Sequence, residues 1–241
     1  MAPRIAIPVP HSGDPEYAAR SLPQYERAVE IAGGEPVRIP LDQSPAQIMK
    51  LLERCDAVLL PGSKADVDPA KYKAQRDPQT AAADSGRDTI DWILLDDAYN
   101  LRKPILGICY GLQSLNVYRN GTLIQHIESP VKHTAGRTVA VAHTVKVVPE
   151  SKLAEIIDGV EVPVNSSHHQ SADVVGEGLQ MVARSPLDGI IEGLEGTSED
   201  HFVLAVQWHP ERSVEEDEAS LAIFRALVDA ALVRQRALES V

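Results

Sequence analysis

Pro104-Ile105-Leu106-Gly107-Ile108-Cys109-Tyr110-Gly111-Leu112-Gln113 is the stretch on which the fold turns. An uninterrupted apolar run over 104–108 reads as a buried strand, and the spacing of Leu112, Leu115 and Val117 reads as an amphipathic helix. Between them a cysteine stands with a glycine two residues to either side. A strand that bends sharply into a helix, with small residues flanking a reactive side chain, is the G-x-nucleophile-x-G elbow. The bend strains the backbone at the nucleophile and lifts its side chain above the sheet. The helix N-terminus beneath it is expected to favour the thiolate and lower the thiol pKa. The Tyr110 backbone N–H is expected to receive a developing oxyanion. A lone cysteine is by default an inert core thiol, and Cys55 in Glu53-Arg54-Cys55-Asp56 is read that way. The glycine flanks set Cys109 apart from it.

Outward from the elbow, strands alternate with helices. Strands are expected over 4–9, 36–39 and 57–60, with Pro8 awkward for a central position. Helices are expected over 14–33, stopped by Gly33-Gly34, over 45–54, capped by Ser44, and over 87–101. That alternation predicts a mostly parallel sheet covered on both faces. After about Thr138 the texture changes to short strands at 143–148, 162–165, 179–184, 189–194 and 203–207, some of them antiparallel, before a last helix over 216–238. Residues 64–86 have no clear period and read as a long loop near the active face. No repeat or linker divides the chain, so residues 1–241 are expected to form a single domain.

With 241 residues, 44% of them hydrophobic, there is enough apolar material for one substantial core. The net charge of -12 argues against a nucleic-acid partner, since phosphates would be repelled. The acidic runs 215–218 and Asp96-Asp97 read as solvated helix faces. Two cysteines make no disulfide framework, and no stretch is apolar enough to span a bilayer. A cytoplasmic protein without a signal peptide and away from membranes is therefore expected.

A thiolate nucleophile needs a proton-shuttling partner. In Gln207-Trp208-His209-Pro210-Glu211 a histidine ends an apolar strand and a carboxylate follows two residues on. In extended chain alternate side chains point the same way, so Glu211 is expected to hold the His209 imidazole in one tautomer.

These two segments together resemble the class I glutamine amidotransferase superfamily. Val164-Asn165-Ser166-Ser167-His168-His169-Gln170, Pro61-Gly62-Ser63 and Asp188-Gly189-Ile190-Ile191-Glu192 narrow the resemblance to the stand-alone gamma-glutamyl-gamma-aminobutyrate hydrolase group. The resemblance implies a flavodoxin-like three-layer α/β sandwich with added antiparallel strands. It implies a Cys109, His209, Glu211 triad, an oxyanion hole from Ser63 and Tyr110, and substrate contacts from Gly62, Gln113, His168 and His169. For the His168-His169 pair a hydrogen-bonded structural role stands beside substrate contact. A metal site is not expected, because no third ligand has suggestive spacing. Tyr110 where the family often has arginine, Ser63 where it often has glycine, and Val117-Tyr118-Arg119-Asn120 where it often has small residues are departures. They bear on the leaving-group side of the pocket.

The implied reaction is hydrolysis of a small γ-glutamyl amide through a glutamyl thioester, without a cofactor. The expected assembly is a homodimer. A glutaminase that feeds ammonia to a separate synthase, a γ-glutamyl peptidase on folate-like substrates, and a ligand-binding protein without turnover are the alternatives.

Overall fold

Every residue of Ala57–Leu60, Ile105–Ile108 and Val203–Val206 is buried in the computed structural model, which describes residues 1–239. Such continuous runs form where a sheet is covered on both faces. Alternation divides their side chains between two cores. Leu59, Leu106, Ile108 and Val206 pack with Tyr25 and Phe224, whereas Val58, Leu60, Ile105 and Ala205 pack with Ile48 and Leu94.

In chain order the elements are β1 (Arg4–Pro8), α1 (Pro15–Ile31), β2 (Glu35–Ile39), α2 (Pro45–Leu52), β3 (Ala57–Leu60), α3 (Ser85–Leu101), β4 (Ile105–Ile108) and α4 (Tyr110–Tyr118). There follow β5 (Leu123–Ile124), β6 (His143–Val147), α5 (Lys152–Ile157), β7 (Glu161–Val164), β8 (Ser171–Ala172), β9 (Leu179–Arg184), β10 (Ile191–Gly196), β11 (Val203–Val206) and α6 (Glu218–Glu239). Strands β2-β1-β3-β4-β11 are parallel, in flavodoxin-like order. Beyond them β10, β9, β6 and β7 extend the same sheet antiparallel. Helices α1, α5 and α6 cover one face, and α2, α3 and α4 the other. The protein is a three-layer α/β sandwich with added antiparallel strands, as expected. Among the described residues no helix is long and apolar enough to cross a membrane.

Local chemistry explains the boundaries. The Asp14 carboxylate accepts from Tyr17 N at 2.8 Å, capping α1, and Gly33 at φ 92° ends it. Pro8 is tolerated beside β3 because β1 pairs with that strand only through Ile5 and Ala6, before the proline is reached. Three features were not read from sequence. Helix α5 is too short to show a period, and is capped by Ser151 accepting from Ala154 N at 3.1 Å. Strands β5 and β8 pair as a separate two-residue ribbon. The 64–86 stretch holds a 3-10 turn at Pro69–Tyr72, capped by Asp68.

Asp97 departs from the solvated helix face that the acidic runs predict. Residues 215–218 are exposed, and Asp96 reaches the Tyr118 hydroxyl on the surface, but Asp97 is buried. It pairs with buried Lys103 at 2.7 Å, and Lys103 also donates to the Leu52 carbonyl. Buried charges persist where they are paired in this way.

Candidate active site

Strands β3, β4 and β11 end at the same edge of the sheet, and Gly62, Cys109 and His209 follow directly from them. Ligands of such folds bind outside the carboxyl ends of parallel strands. Cys109 has φ 54° and ψ -106°, a left-handed backbone that a side chain other than glycine rarely adopts. The flanking glycines permit it. A Cβ on Gly111 would lie 2.1 Å from the Leu60 carbonyl oxygen, and one on Gly107 would lie 2.9 Å from the Gly111 backbone. Strain of this kind persists only where the surrounding structure holds it, and it marks functional positions. The elbow is present as expected.

His209 Nδ1 lies 2.8 Å from Glu211 Oε1, both residues being buried. The route to this pair differs from expectation: Pro210–Arg212 form a 3-10 turn, so the carboxylate is folded back on the ring and does not follow it along a strand. Asn165 brackets the His209 backbone, donating to its carbonyl at 2.8 Å and accepting from its N–H at 3.0 Å. A Cβ on Gly62 would meet His209 Cε1 at 2.9 Å and Cys109 Cβ at 3.7 Å, so imidazole and nucleophile both border the space that the missing side chain leaves free.

Tyr25, unremarked in the sequence, joins this group from α1. Its hydroxyl accepts from Gly62 N at 3.0 Å and lies 3.5 Å from His209 Nδ1. The Gly62 N–H is thereby committed to Tyr25. Tyr25→Phe would leave that buried N–H unpaired, at a cost of about 1–3 kcal/mol in urea unfolding. It would also loosen the loop against His209, so kcat is expected to fall about tenfold with KM little changed. An unchanged kcat would show that Tyr25 supports the fold only.

A cavity of about 250 Å³ opens over Cys109, lined also by Ser63, Tyr110, Gln113, His168, His169 and His209. Gln113 donates to the Gln170 carbonyl at 3.1 Å. His168 is turned inward, its Nδ1 2.9 Å from the Gln170 carbonyl. His169 is turned outward, 3.1 Å from Asp66 and 3.3 Å from His126. Beneath Tyr110, Arg87 is wholly buried. It pairs with Asp91 at 2.6 Å and donates to the carbonyls of Pro10 at 3.0 Å and Pro61 at 2.6 Å. Its guanidinium stacks 4.9 Å from the Tyr110 ring, whose hydroxyl donates to Asp88. One cation thus ties together the loops after β1 and β3 and the start of α4.

The electrostatics reverse one expectation. Burial pushes the Cys109 thiol up to about 12, against the lowering influence of Arg212 and the Tyr110 N–H. Burial likewise draws His209 below its ordinary 6.5, against the pull of Glu211. The resting pair is therefore a neutral thiol and a neutral imidazole. Desolvation of the buried thiol outweighs the influence of the helix N-terminus. Cys55 is also buried, its thiol donating to the Leu51 carbonyl at 3.3 Å and pushed up to about 11 by burial. It has no such surroundings.

The peptidase C26 family model matches residues 8–211. A Mycobacterium tuberculosis protein whose name assigns it provisionally to the glutamine amidotransferases is 40% identical over 211 residues, covering 86% of this chain and 66% of its own. The gamma-glutamyl-gamma-aminobutyrate hydrolase of Escherichia coli is 33% identical over 227 residues, 89% of this chain and 87% of its own. A Thermoplasma acidophilum structure, named provisionally as part of a GMP synthase, superposes with a TM-score of 0.69 at 17% identity, covering 99% of this chain and 98% of its own. At that identity the likeness is one of fold.

Proposed function

Because the chain belongs to the peptidase C26 family and is a glutamine amidotransferase-like hydrolase, we propose that it cleaves the γ-glutamyl amide bond of a small γ-glutamyl amine by way of a thioester on Cys109. The strained backbone of Cys109 beside the Glu211-held imidazole is the observation that carries this reading.

Cys109 begins as a thiol. With substrate bound, His209 takes the Sγ proton on Nε2, Nδ1–H being donated to Glu211. Sulfur then bonds to the γ-carbonyl carbon. The oxyanion is received by the N–H groups of Tyr110 and Ser63, and Gln113, His168 and His169 stand near the glutamyl end. Collapse breaks the C–N bond as His209 returns its proton to the departing amine. Water then enters and gives His209 a proton as it attacks the thioester. The proton passes to sulfur as glutamate leaves. A side chain at Gly62 would press on the His209 ring, so the site needs a glycine there. Arg20, Lys64, Arg137 and Arg212 line the cavity of a chain whose net charge is -12, which favours a leaving amine that carries a carboxylate.

The test is a panel of purified-protein assays with glutamate measured directly. γ-Glutamyl derivatives of ω-amino acids should be turned over faster than those of diamines, and faster than glutamine. Preference for free glutamine would favour the ammonia-supplying alternative. Specific binding without turnover of any member would favour the non-catalytic one.

The titration of His209 sets the pH profile. The base must be neutral to act, and its folded pKa lies below 6.5. Glu211, Arg212 and His168 are the charged or titratable groups acting on it. The acidic limb of kcat/KM is therefore expected below pH 6.5, with a plateau across neutrality. With the thiol near 12, alkylation of free Cys109 by iodoacetamide should rise about tenfold per pH unit above pH 7. Fast, pH-independent alkylation between pH 6 and 8 would indicate a preformed ion pair and contradict this picture.

A further inference from the structure

Behind the catalytic cavity His133, His168 and Glu192 meet, from three segments distant in sequence. All are buried, at 3%, 4% and 0% exposure, and one donor atom from each lies within 4.8 Å of the others. His133 Nδ1, His168 Nε2 and Glu192 Oε2 have no hydrogen-bond partner. Unpaired buried polar atoms are costly, and two ring nitrogens turned towards one buried carboxylate call for an occupant.

A proton does not serve all of them. His168 Nδ1 is committed to the Gln170 carbonyl at 2.9 Å, so Nε2 of the neutral ring carries a lone pair. That lone pair lies 3.7 Å from Glu192 Oε1, beyond hydrogen-bonding reach. His133 Nε2 is committed to the Asp188 carboxylate at 2.8 Å. Its Nδ1 comes within 3.3 Å of Glu192 Oε1 without the alignment of a hydrogen bond. A cation lying off the N···O lines would satisfy both rings and the carboxylate together.

We infer that His133 Nδ1, His168 Nε2 and the Glu192 carboxylate form a binding site for a divalent metal ion of the zinc class. Two imidazoles and a carboxylate are a zinc donor set, whereas calcium and magnesium call for oxygens alone. The supporting shell is in place. Asp188 orients His133 and is itself held by Ser129, the Gln170 carbonyl orients His168, and His143 Nε2 sits 2.9 Å from Glu192 Oε1. A second cavity, of about 330 Å³, is lined by both His133 and His168 and offers a way in. The ion would clamp β10 to the segment carrying Asn165, which brackets His209. Its role is to stiffen that support, and it takes no part in the thiol chemistry.

The test uses full-length Cys109→Ala protein, so that the catalytic thiol cannot compete for metal. It is stripped with chelator, titrated calorimetrically with Zn²⁺, and counted for metal after gel filtration. Expected are one tightly held zinc per chain, a higher thermal midpoint with zinc, and a tetrahedral absorption band when Co²⁺ replaces it. Asp188→Asn should weaken binding about 10–100-fold through the supporting shell. Glu192→Gln and His168→Asn should weaken it further, and His169→Asn should leave it unchanged. Failure of the Cys109→Ala protein to retain zinc would overturn the proposal without recourse to ligand variants. Equal affinity in folded Glu192→Gln protein, or an octahedral cobalt spectrum, would overturn it too.

Discussion

Cys109→Ala is expected to lower kcat/KM on the best γ-glutamyl amide by about 10⁴-fold or more, since no other group supplies the nucleophile and members of a triad act as a unit. Its stability should be close to that of the parent, because alanine inherits the same strained backbone. Cys109→Gly should be equally inactive but more stable. Glycine adopts φ 54° without penalty, and release of that strain is worth about 1–3 kcal/mol. Equilibrium urea unfolding of the three proteins, alongside turnover, separates the two effects. A Cys109→Gly protein that is inactive and less stable than Cys109→Ala would mean that the elbow stores no strain. Retained turnover in either variant would remove the covalent route.

Arg87→Ala is expected to destabilise the protein by about 3–5 kcal/mol, the scale on which loss of one partner from a buried ion pair is felt. Asp91 would be left as a charge with 0% exposure and no counterion, and the Pro10 and Pro61 carbonyls would lose their donor. The Pro61 bond positions the loop that carries Gly62 and Ser63, so surviving protein should also show a reduced kcat. Arg87→Met with Asp91→Leu restores volume without charge and should recover much of the stability. It should recover less of the activity, because neither carbonyl regains a donor. Thermal and urea unfolding read the first effect, and steady-state kinetics the second. A loss under 1 kcal/mol for Arg87→Ala would mean that the loops are held by other contacts.

What was legible in the sequence is what local spacing controls. Gly107, Cys109 and Gly111 belong to one turn, and the constraint that makes them glycines acts within a few residues. His209 and Glu211 were also legible as a pair, although a 3-10 turn brings them together where extended chain was expected. The burial of β3, β4 and β11 followed from their uninterrupted apolar runs. Tyr25, Asn165 and Arg87 were not legible as site residues, because each acts across a long separation. Tyr25 reaches Gly62, Asn165 reaches His209 and Arg87 reaches Pro10 and Pro61. Asp97 is not legible as a buried charge because Lys103, its partner, lies beyond the helix end. Likewise, no ligand spacing around the His168-His169 pair points to His133 and Glu192, since only strand pairing brings β10 and the loop after β5 to them. The raised pKa of the Cys109 thiol is hidden from the sequence for a related reason. A helix N-terminus can be read from pattern, but the depth at which the sulfur is buried cannot.

The covalent intermediate is the claim on which the rest depends. Wild-type protein mixed with a γ-glutamyl amide, quenched in acid within one turnover and examined by intact-mass spectrometry, should carry one glutamyl group. That group should map to the peptide containing Cys109 and be released by hydroxylamine. Multiple turnover with no such adduct at any quench time, or the same adduct on Cys109→Ala protein, would contradict the mechanism.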